Sequence, residues 1–381
     1  MTAGARDMRQ GFALVFLLAT VLIAPASAAE RFESESGPIE VETVANGLDH
    51  PWGMAMLPDG SLLVTERRGR LWYLHEDERH EVTGLPQVAA FSQGGLLDIA
   101  ADENFARTRR IWLTYSEPGP GGASTALATA TLSADNTHLE DLARLWVMKK
   151  KTPSGYQFGS RIALAPDGKM FVTVGDRRDG KRAQDFFDAA GAVIRLNRDG
   201  TIPADNPFAD GGKGLPELWS KGHRNQQGAV WDKARGKLWT VEHGAKGGDE
   251  INAPEAGKNY GWPVITYGTD YDGSKIGIGT KAPGYEQPVI YWDPSIAPSG
   301  MAVYDGKLFP AWRGDLLVGA LKYRMLVHLR LDEAGKIVGE ENLLKGEYGR
   351  IRDVRVFGDG AIWLLTDEDD GRLLRITPAG D

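Results

Sequence analysis

The sequence predicts an all-β chain folded as a six-bladed β-propeller. Three observations carry this: a turn-then-strand unit that recurs along the chain, abundant glycine with abundant tryptophan, and the near absence of long helical periodicity. Glycine contributes 48 residues and tryptophan 11, a pairing that suits tight turns between aromatic-rich strands. The first unit is Pro58-Asp59-Gly60, where Asp-Gly turns the chain into the apolar run Leu62-Leu63-Val64. Residues 109–115, with Ile111-Trp112-Leu113, supply the second. Pro166-Asp167-Gly168 opens the third, which continues through 169–174. Residues 234–242 form the fourth, 305–309 the fifth, and Gly358-Asp359-Gly360 with 361–367 the sixth. The units recur at roughly 45 to 70 residues, a blade repeat with loops of varied length. Strands that close the units read at 70–74, 192–196, 326–331 and 373–376, and 183–190 reads as a short helical turn. An early strand at 39–44 can pair with the last blade and close the ring. A generic β-sandwich leaves the repeated spacing unexplained.

The N-terminus reads as a signal peptide, residues 1–28. Arg6 and Arg9 make a basic start, 12–23 is apolar apart from Thr20, and Ala26-Ser27-Ala28 offers small residues for cleavage. The expected mature chain, 29–381, is then a single propeller in the periplasm or secreted, with no membrane insertion once the signal is removed. The apolar run is short for a bilayer span. The chain has no cysteine, which rules out disulfides and thiolate metal ligands. About 350 residues bury about three quarters of their unfolded surface, so a core can stabilise the chain. A net charge of −8 argues against nucleic acid or an anionic membrane as main partner, though not against a small anion.

Two segments carry the chemistry. One runs Trp239-Thr240-Val241-Glu242-His243-Gly244-Ala245-Lys246-Gly247-Gly248-Asp249-Glu250-Ile251-Asn252, followed by Asn259-Tyr260-Gly261-Trp262-Pro263. The other is Gly222-His223-Arg224-Asn225-Gln226-Gln227-Gly228. Carboxylates on a glycine-rich, sharply turning backbone are oxygen ligands of the kind calcium takes. Together these segments resemble the glucose/sorbosone dehydrogenase family, soluble sugar dehydrogenases that use pyrroloquinoline quinone (PQQ). The resemblance runs from Gly47-Leu48-Asp49-His50-Pro51-Trp52-Gly53 to the last strand. It implies that Arg224, Lys322, Arg350 and Arg352 hold the three carboxylates of PQQ, with Asn225 beside them. Ser295 stands where the family can place a hydroxyl contact, although that hydroxyl could equally cap its own loop. The resemblance also implies calcium twice. One ion would sit beside PQQ on the carbonyls of Gly244 and Ala245, the second of which is usually proline in the family. A structural ion would use Glu250 and the Tyr260 carbonyl, with Asp270 as a further ligand and Glu286 as a candidate. Asp249-Glu250 could instead be a solvated turn.

On the substrate side the chain departs from the family pattern. Gln93 matches a sugar-contacting glutamine. The family's catalytic histidine precedes a Gly-Ser-Arg or Gly-Gly-Arg turn, and here that place reads Tyr156-Gln157-Phe158-Gly159-Ser160-Arg161. Gln157 can orient a hydroxyl but has no lone pair basic enough to act as general base. His243 is the nearest other candidate and reads as an orienting group; His223 reads as structural, while Tyr156 and Asp176 are further options. His50, His75, His80, His138 and His328 read as surface or strand residues without metal-ligand spacing. Three functions stay open. The first is PQQ- and calcium-dependent oxidation of aldoses or related alcohols to lactones, with electrons passed to an unidentified external acceptor. The second is a divergent propeller that binds PQQ, calcium or sugar without efficient oxidation. The third is a calcium-dependent lactonase, which would want an acidic cage where this chain offers cations. The glycines after His243 do not open a helix, so a dinucleotide fingerprint is excluded.

Overall fold

The computed structural model describes Met1 and residues 29–380, so the signal peptide expected at 1–28 lies, apart from Met1, outside the described residues. Six antiparallel sheets stand around a central axis; in five of them successive strands pair outward from the axis in sequence order, and the sixth combines the last three strands of the chain with the first two. The innermost strands are Pro51–Met56, Leu96–Ala101, Gly159–Leu164, Gln226–Asp232, Pro298–Val303 and Ile351–Val356. Each packs on the next, and Ile351–Val356 returns to Pro51–Met56. The ring is closed by the chain's two ends. Ile39–Leu48 pairs with Gly371–Pro378, with Val41 opposite Ile376, and Glu30–Phe32 adds a fifth strand at that edge. Opening the ring therefore requires breaking a ladder between residues distant in sequence.

Strand burial explains why the blades read as apolar runs. Leu62–Glu66, Leu316–Ala320 and Ile362–Thr366 are buried along their whole length, because neighbouring blades cover both faces of each sheet. The outer strand Ile337–Leu343 alternates, as a half-solvated strand does. Apolar side chains meet between successive blades: Leu63, Tyr73, Ile99 and Leu113 share one such layer, and Trp239, Ile251, Val318 and Val327 another.

The units expected at 62–66, 109–115, 169–174, 237–242 and 361–367 fall on the second strands of their blades. The unit at 305–309 is a correction, since the second strand of that blade begins only at Leu316. Its apolar residues serve a loop. Phe309 stacks on Trp312 at 4.6 Å, and the Tyr304 hydroxyl accepts the Phe309 N–H at 2.9 Å. Aromatic packing there overrides the turn signal. The helical turn expected at 183–190 lies slightly earlier, at Gly180–Gln184, and is of the 3₁₀ type.

An ion cluster crosses the central channel. Arg161 is wholly buried, reaching Asp98 at 3.0 Å and Asp353 at 2.9 Å over the Trp52 ring. Arg355 pairs with the same two carboxylates. A cavity of about 730 Å³ opens at the far mouth, lined by Met56, Ala101, Leu164, Arg235 and Phe357. These lie at the C-terminal ends of the inner strands. The predicted site residues gather at or before the N-terminal ends, which form the other mouth.

Candidate functional site at the N-terminal mouth

Loops entering the inner strands build the site. Gln157 immediately precedes the strand Gly159–Leu164 and is buried in the left-handed region, φ 58°. Its N–H donates to Gln93 Oε1 at 2.8 Å, while its own side-chain oxygen is buried and without a partner. A Cβ on Gly175 would run into the Gln157 carbonyl, so glycine is required for this approach. Two residues on, the Gly159 N–H donates to Asn225 Oδ1 at 3.2 Å, and the Gln227 amide reaches the same oxygen. The loop that carries Gln157 and the loop that carries Arg224 and Asn225 are thus joined by hydrogen bonds.

The cations converge on the same mouth. Arg224 is buried, donates to the carbonyls of His243 and Gly244, and lies 5.3 Å from the Trp262 ring. Trp262 is anchored by its indole N–H, which donates to Asp176 at 2.8 Å. Arg352 is buried, bonds Gln227 Oε1 at 2.9 Å, pairs with Asp367 and keeps an unpartnered Nε. Arg350 turns toward the Leu321 carbonyl at 3.4 Å. Lys322 is exposed at the rim, where its N–H bonds Ile296 and brings it beside the Ser295 loop. Ser295 itself donates to Asp249 at 2.7 Å and accepts the Ala297 N–H. Its hydroxyl thus caps its own loop and ties that loop to Asp249.

Sequence reasoning missed the groups behind Arg352. His50, read as a surface or strand residue, bonds Asp367 at 2.7 Å and Asp369 at 3.0 Å, and Arg67 stands 3.5 Å from Asp367. These partners come from opposite ends of the chain, so no local spacing announces them. Burial alone would raise the Asp367 carboxyl, but Arg352, the His50 bond and Arg67 hold it well below the usual range. The Asp367 bond raises His50 above 6.5. The signs follow from linkage. The raised histidine contributes stability that is full below its unfolded value and lost as pH rises through its folded value. The depressed carboxyl contributes stability present above about pH 4 and lost as pH falls through its folded value. His50→Gln is expected to remove the alkaline limb: the difference between wild-type and variant urea midpoints shrinks from about pH 6 to pH 8. A difference constant with pH would refute the assignment.

The glycine turn is rich in inward oxygens. The Gly244 N–H donates to Asp249 at 2.9 Å, and a Cβ on Gly244 would meet the carbonyls of Gly247 and Gly248. Ala245 is buried beside it. His243 Nε2 lies 2.6 Å from the Pro298 carbonyl, which can only accept, so Nε2 carries the hydrogen and Nδ1 the lone pair. Burial pulls His243 down to about 4, which leaves the ring neutral. Deeper in the blade, Glu250 lies opposite Glu242 on paired strands, and burial followed by the Glu242 charge pushes it up to about 8. The Asn252 amide donates to both carboxylates, and its own oxygen is buried without a partner. His223 bonds Glu242 at 2.8 Å and stacks on Tyr260 at 4.8 Å, the structural part read from the sequence. Asp270 and Glu286 are placed elsewhere. Asp270 bonds within its own exposed turn, and Glu286 pairs with Lys258 at the surface. Among the described residues they do not join Glu250 as one ligand set.

A six-bladed propeller with this cation-lined, oxygen-rich mouth falls in the class of sugar dehydrogenases. The chain belongs to the glucose/sorbosone dehydrogenase family, whose pattern matches residues 48–375. It is 41% identical over 346 residues to the aldose sugar dehydrogenase YliI of Escherichia coli, spanning 89% of this chain and 93% of that protein. The apo-form structure of the soluble E. coli aldose sugar dehydrogenase superposes with a TM-score of 0.87 at 40% identity, covering 90% of this chain and all of that one. The PQQ-bound aldose sugar dehydrogenase of Streptomyces coelicolor gives 0.74 at 27% identity, covering 89% and 98%.

Proposed function

We propose that the protein oxidises aldoses or related alcohols to lactones with PQQ and calcium, passing electrons to an external acceptor. The observation that carries this reading is the convergence of Arg224, Arg350, Arg352 and Lys322 on a mouth that also holds the Gly244 turn. The residues fit the cofactor. PQQ is a flat tricarboxylate, and the site offers guanidinium groups, an unpartnered Arg352 Nε and the Trp262 wall. They also fit calcium, through the carbonyls of Gly247 and Gly248 packed against Gly244 and the buried Glu242–Glu250 pair. In this reading Gly244 and Ala245 supply the carbonyls beside the cofactor, and Glu250 with the Tyr260 carbonyl the structural ion.

When bound, PQQ supplies a two-electron acceptor for the hydride from the sugar C1. The chain's residues do the rest. Arg224, Arg352 and Asn225 hold the cofactor, Gln93 fixes the substrate loop, and the free oxygen of Gln157 accepts from and orients the C1 hydroxyl. His243, neutral and tied to Pro298, orients without taking the proton, which passes to water. Positioned proton transfer is worth about 10²–10⁴-fold, so turnover is slow compared with a histidine-bearing site.

The test is to load purified mature protein with PQQ and calcium, remove the excess, and add a panel of aldoses anaerobically. Reduction of the bound quinone, seen by absorbance, supports the reading and names a substrate. Failure to bind PQQ would refute it. Binding without reduction would favour the second reading, a sensing propeller, which Gln157 specifically supports. A lactonase cage finds no support, because the channel carboxylates Asp98 and Asp353 are taken up by Arg161 and Arg355.

A further inference from the structure

Arg177 is a buried cation that no carboxylate approaches within ion-pair distance among the described residues. Buried charges are normally paired, so its surroundings need an account. Its two terminal nitrogens donate to the carbonyls of Ser154 and Tyr156, and its backbone N–H donates to the carbonyl of Gln157 at 3.3 Å. The guanidinium lies over the Phe158 ring, 3.3 Å from its centroid. All four contacts fall on the stretch that carries Gln157. The adjacent Arg178 adds a fifth, lying 4.6 Å from the Tyr156 ring.

That stretch is costly to hold. Gln157 sits at φ 58°, a left-handed conformation that is unfavourable for a residue with a side chain. Other anchors, the Gln93 oxygen and the close glycine at 175, fix the backbone N–H and leave room for the carbonyl. Arg177 grips the carbonyls of Ser154 and Tyr156, which lead into the turn, and its backbone N–H holds the Gln157 carbonyl itself, while the Phe158 carbonyl beyond accepts from Thr125 and Ser160. Its own base is firm, because the preceding Asp176 donates its N–H to the Arg224 carbonyl at 2.9 Å and accepts from Trp262. One short segment therefore ties the cofactor wall to the loop that faces the substrate.

We infer that Arg177 is a positioning residue that sets the Gln157 side-chain oxygen for the substrate hydroxyl by clamping the carbonyls of Ser154, Tyr156 and Gln157. The inference rests on the dehydrogenase reading for its kinetic consequence, but not for its structural one. A role in packing alone would be met as well by an apolar side chain on Phe158. A role in positioning needs the two-pronged donor, since lysine can reach only as a point charge.

The experiment is a double-mutant cycle of Arg177→Met with Gln157→Ala, with Arg177→Lys as a second single variant. Arg177→Met is expected to lower kcat on the aldose found by the panel about tenfold or more, with PQQ binding within about twofold of wild type. In the Gln157→Ala background the same change is expected to cost nothing further, and Arg177→Lys to recover only part of the loss. Equal losses in both backgrounds, or full recovery by lysine, would overturn the inference. A crystal structure of Arg177→Lys supplies an arm that needs no activity. Gln157 is expected to leave the left-handed region there; an unchanged loop overturns the inference even where the wild type fails to turn over, an outcome that would count against the functional reading instead.

Discussion

Gln157→His is expected to raise turnover on aldoses at least about tenfold, without tightening or weakening PQQ. The argument is geometric and chemical at once. The Gln157 oxygen is buried, has no partner and belongs to a residue whose backbone is fixed by Gln93, Gly175 and Arg177. A group placed so can accept from a hydroxyl, but an amide oxygen cannot keep the proton at neutral pH. Imidazole can, with an ordinary pKa near 6.5 that suits proton abstraction. Position is thus already provided and only basicity is missing. The effect is read as the rate of anaerobic reduction of bound quinone, which isolates the chemical step from reoxidation. A gain confined to KM would mean that histidine merely adds a contact. No gain, with PQQ demonstrably bound, would mean that Gln157 serves a different chemistry.

Most of the fold was legible because propeller blades repeat a local signal. An Asp-Gly turn followed by an apolar run, as at Asp59-Gly60 and Asp167-Gly168, needs no distant partner to be read. It misled at 305–309 because Tyr304, Phe309 and Trp312 form an aromatic cluster whose packing is decided across loops. The site divides the same way. Arg224, Asn225 and the Gly244 turn sit inside continuous motifs, and the structure places them together. His50, Arg67 and Asp367 lie in three separated segments and meet only because the first and last blades adjoin. Arg177 was invisible for another reason: its partners are backbone carbonyls, which leave no trace in side-chain identity. Asp270 and Glu286 illustrate the converse, acidic residues near a motif whose carboxylates point to other duties.

Calcium removal is expected to lower the melting temperature by several degrees, and Glu250→Gln to abolish the difference. Glu242 and Glu250 face each other on paired strands in the interior of a blade, with the Asn252 amide as the donor shared by both. Two ionised carboxylates at such a spacing would repel, and burial would strengthen that repulsion, so without an ion Glu250 is held protonated, pushed up to about 8. A divalent cation replaces that repulsion with attraction and gives the unpartnered Asn252 oxygen a partner. An ion that binds only the folded chain stabilises it by about 2.7 kcal/mol at a hundred times its Kd. In a chain of this size each kcal/mol shifts the transition by roughly a few degrees at most. Glu250→Gln keeps the neutral, hydrogen-bonding form that Glu250 takes without an ion but cannot supply a charged ligand, so the variant is expected to melt close to wild type in chelator at neutral pH and to gain nothing from added calcium. Thermal melts of both proteins, each with calcium and with chelator, decide the matter. Identical wild-type curves in the two conditions would show that the carboxylate pair is settled by protonation and Asn252 alone. The calcium that matters would then be sought at the Gly244 turn, where the carbonyls now meet the Arg224 guanidinium.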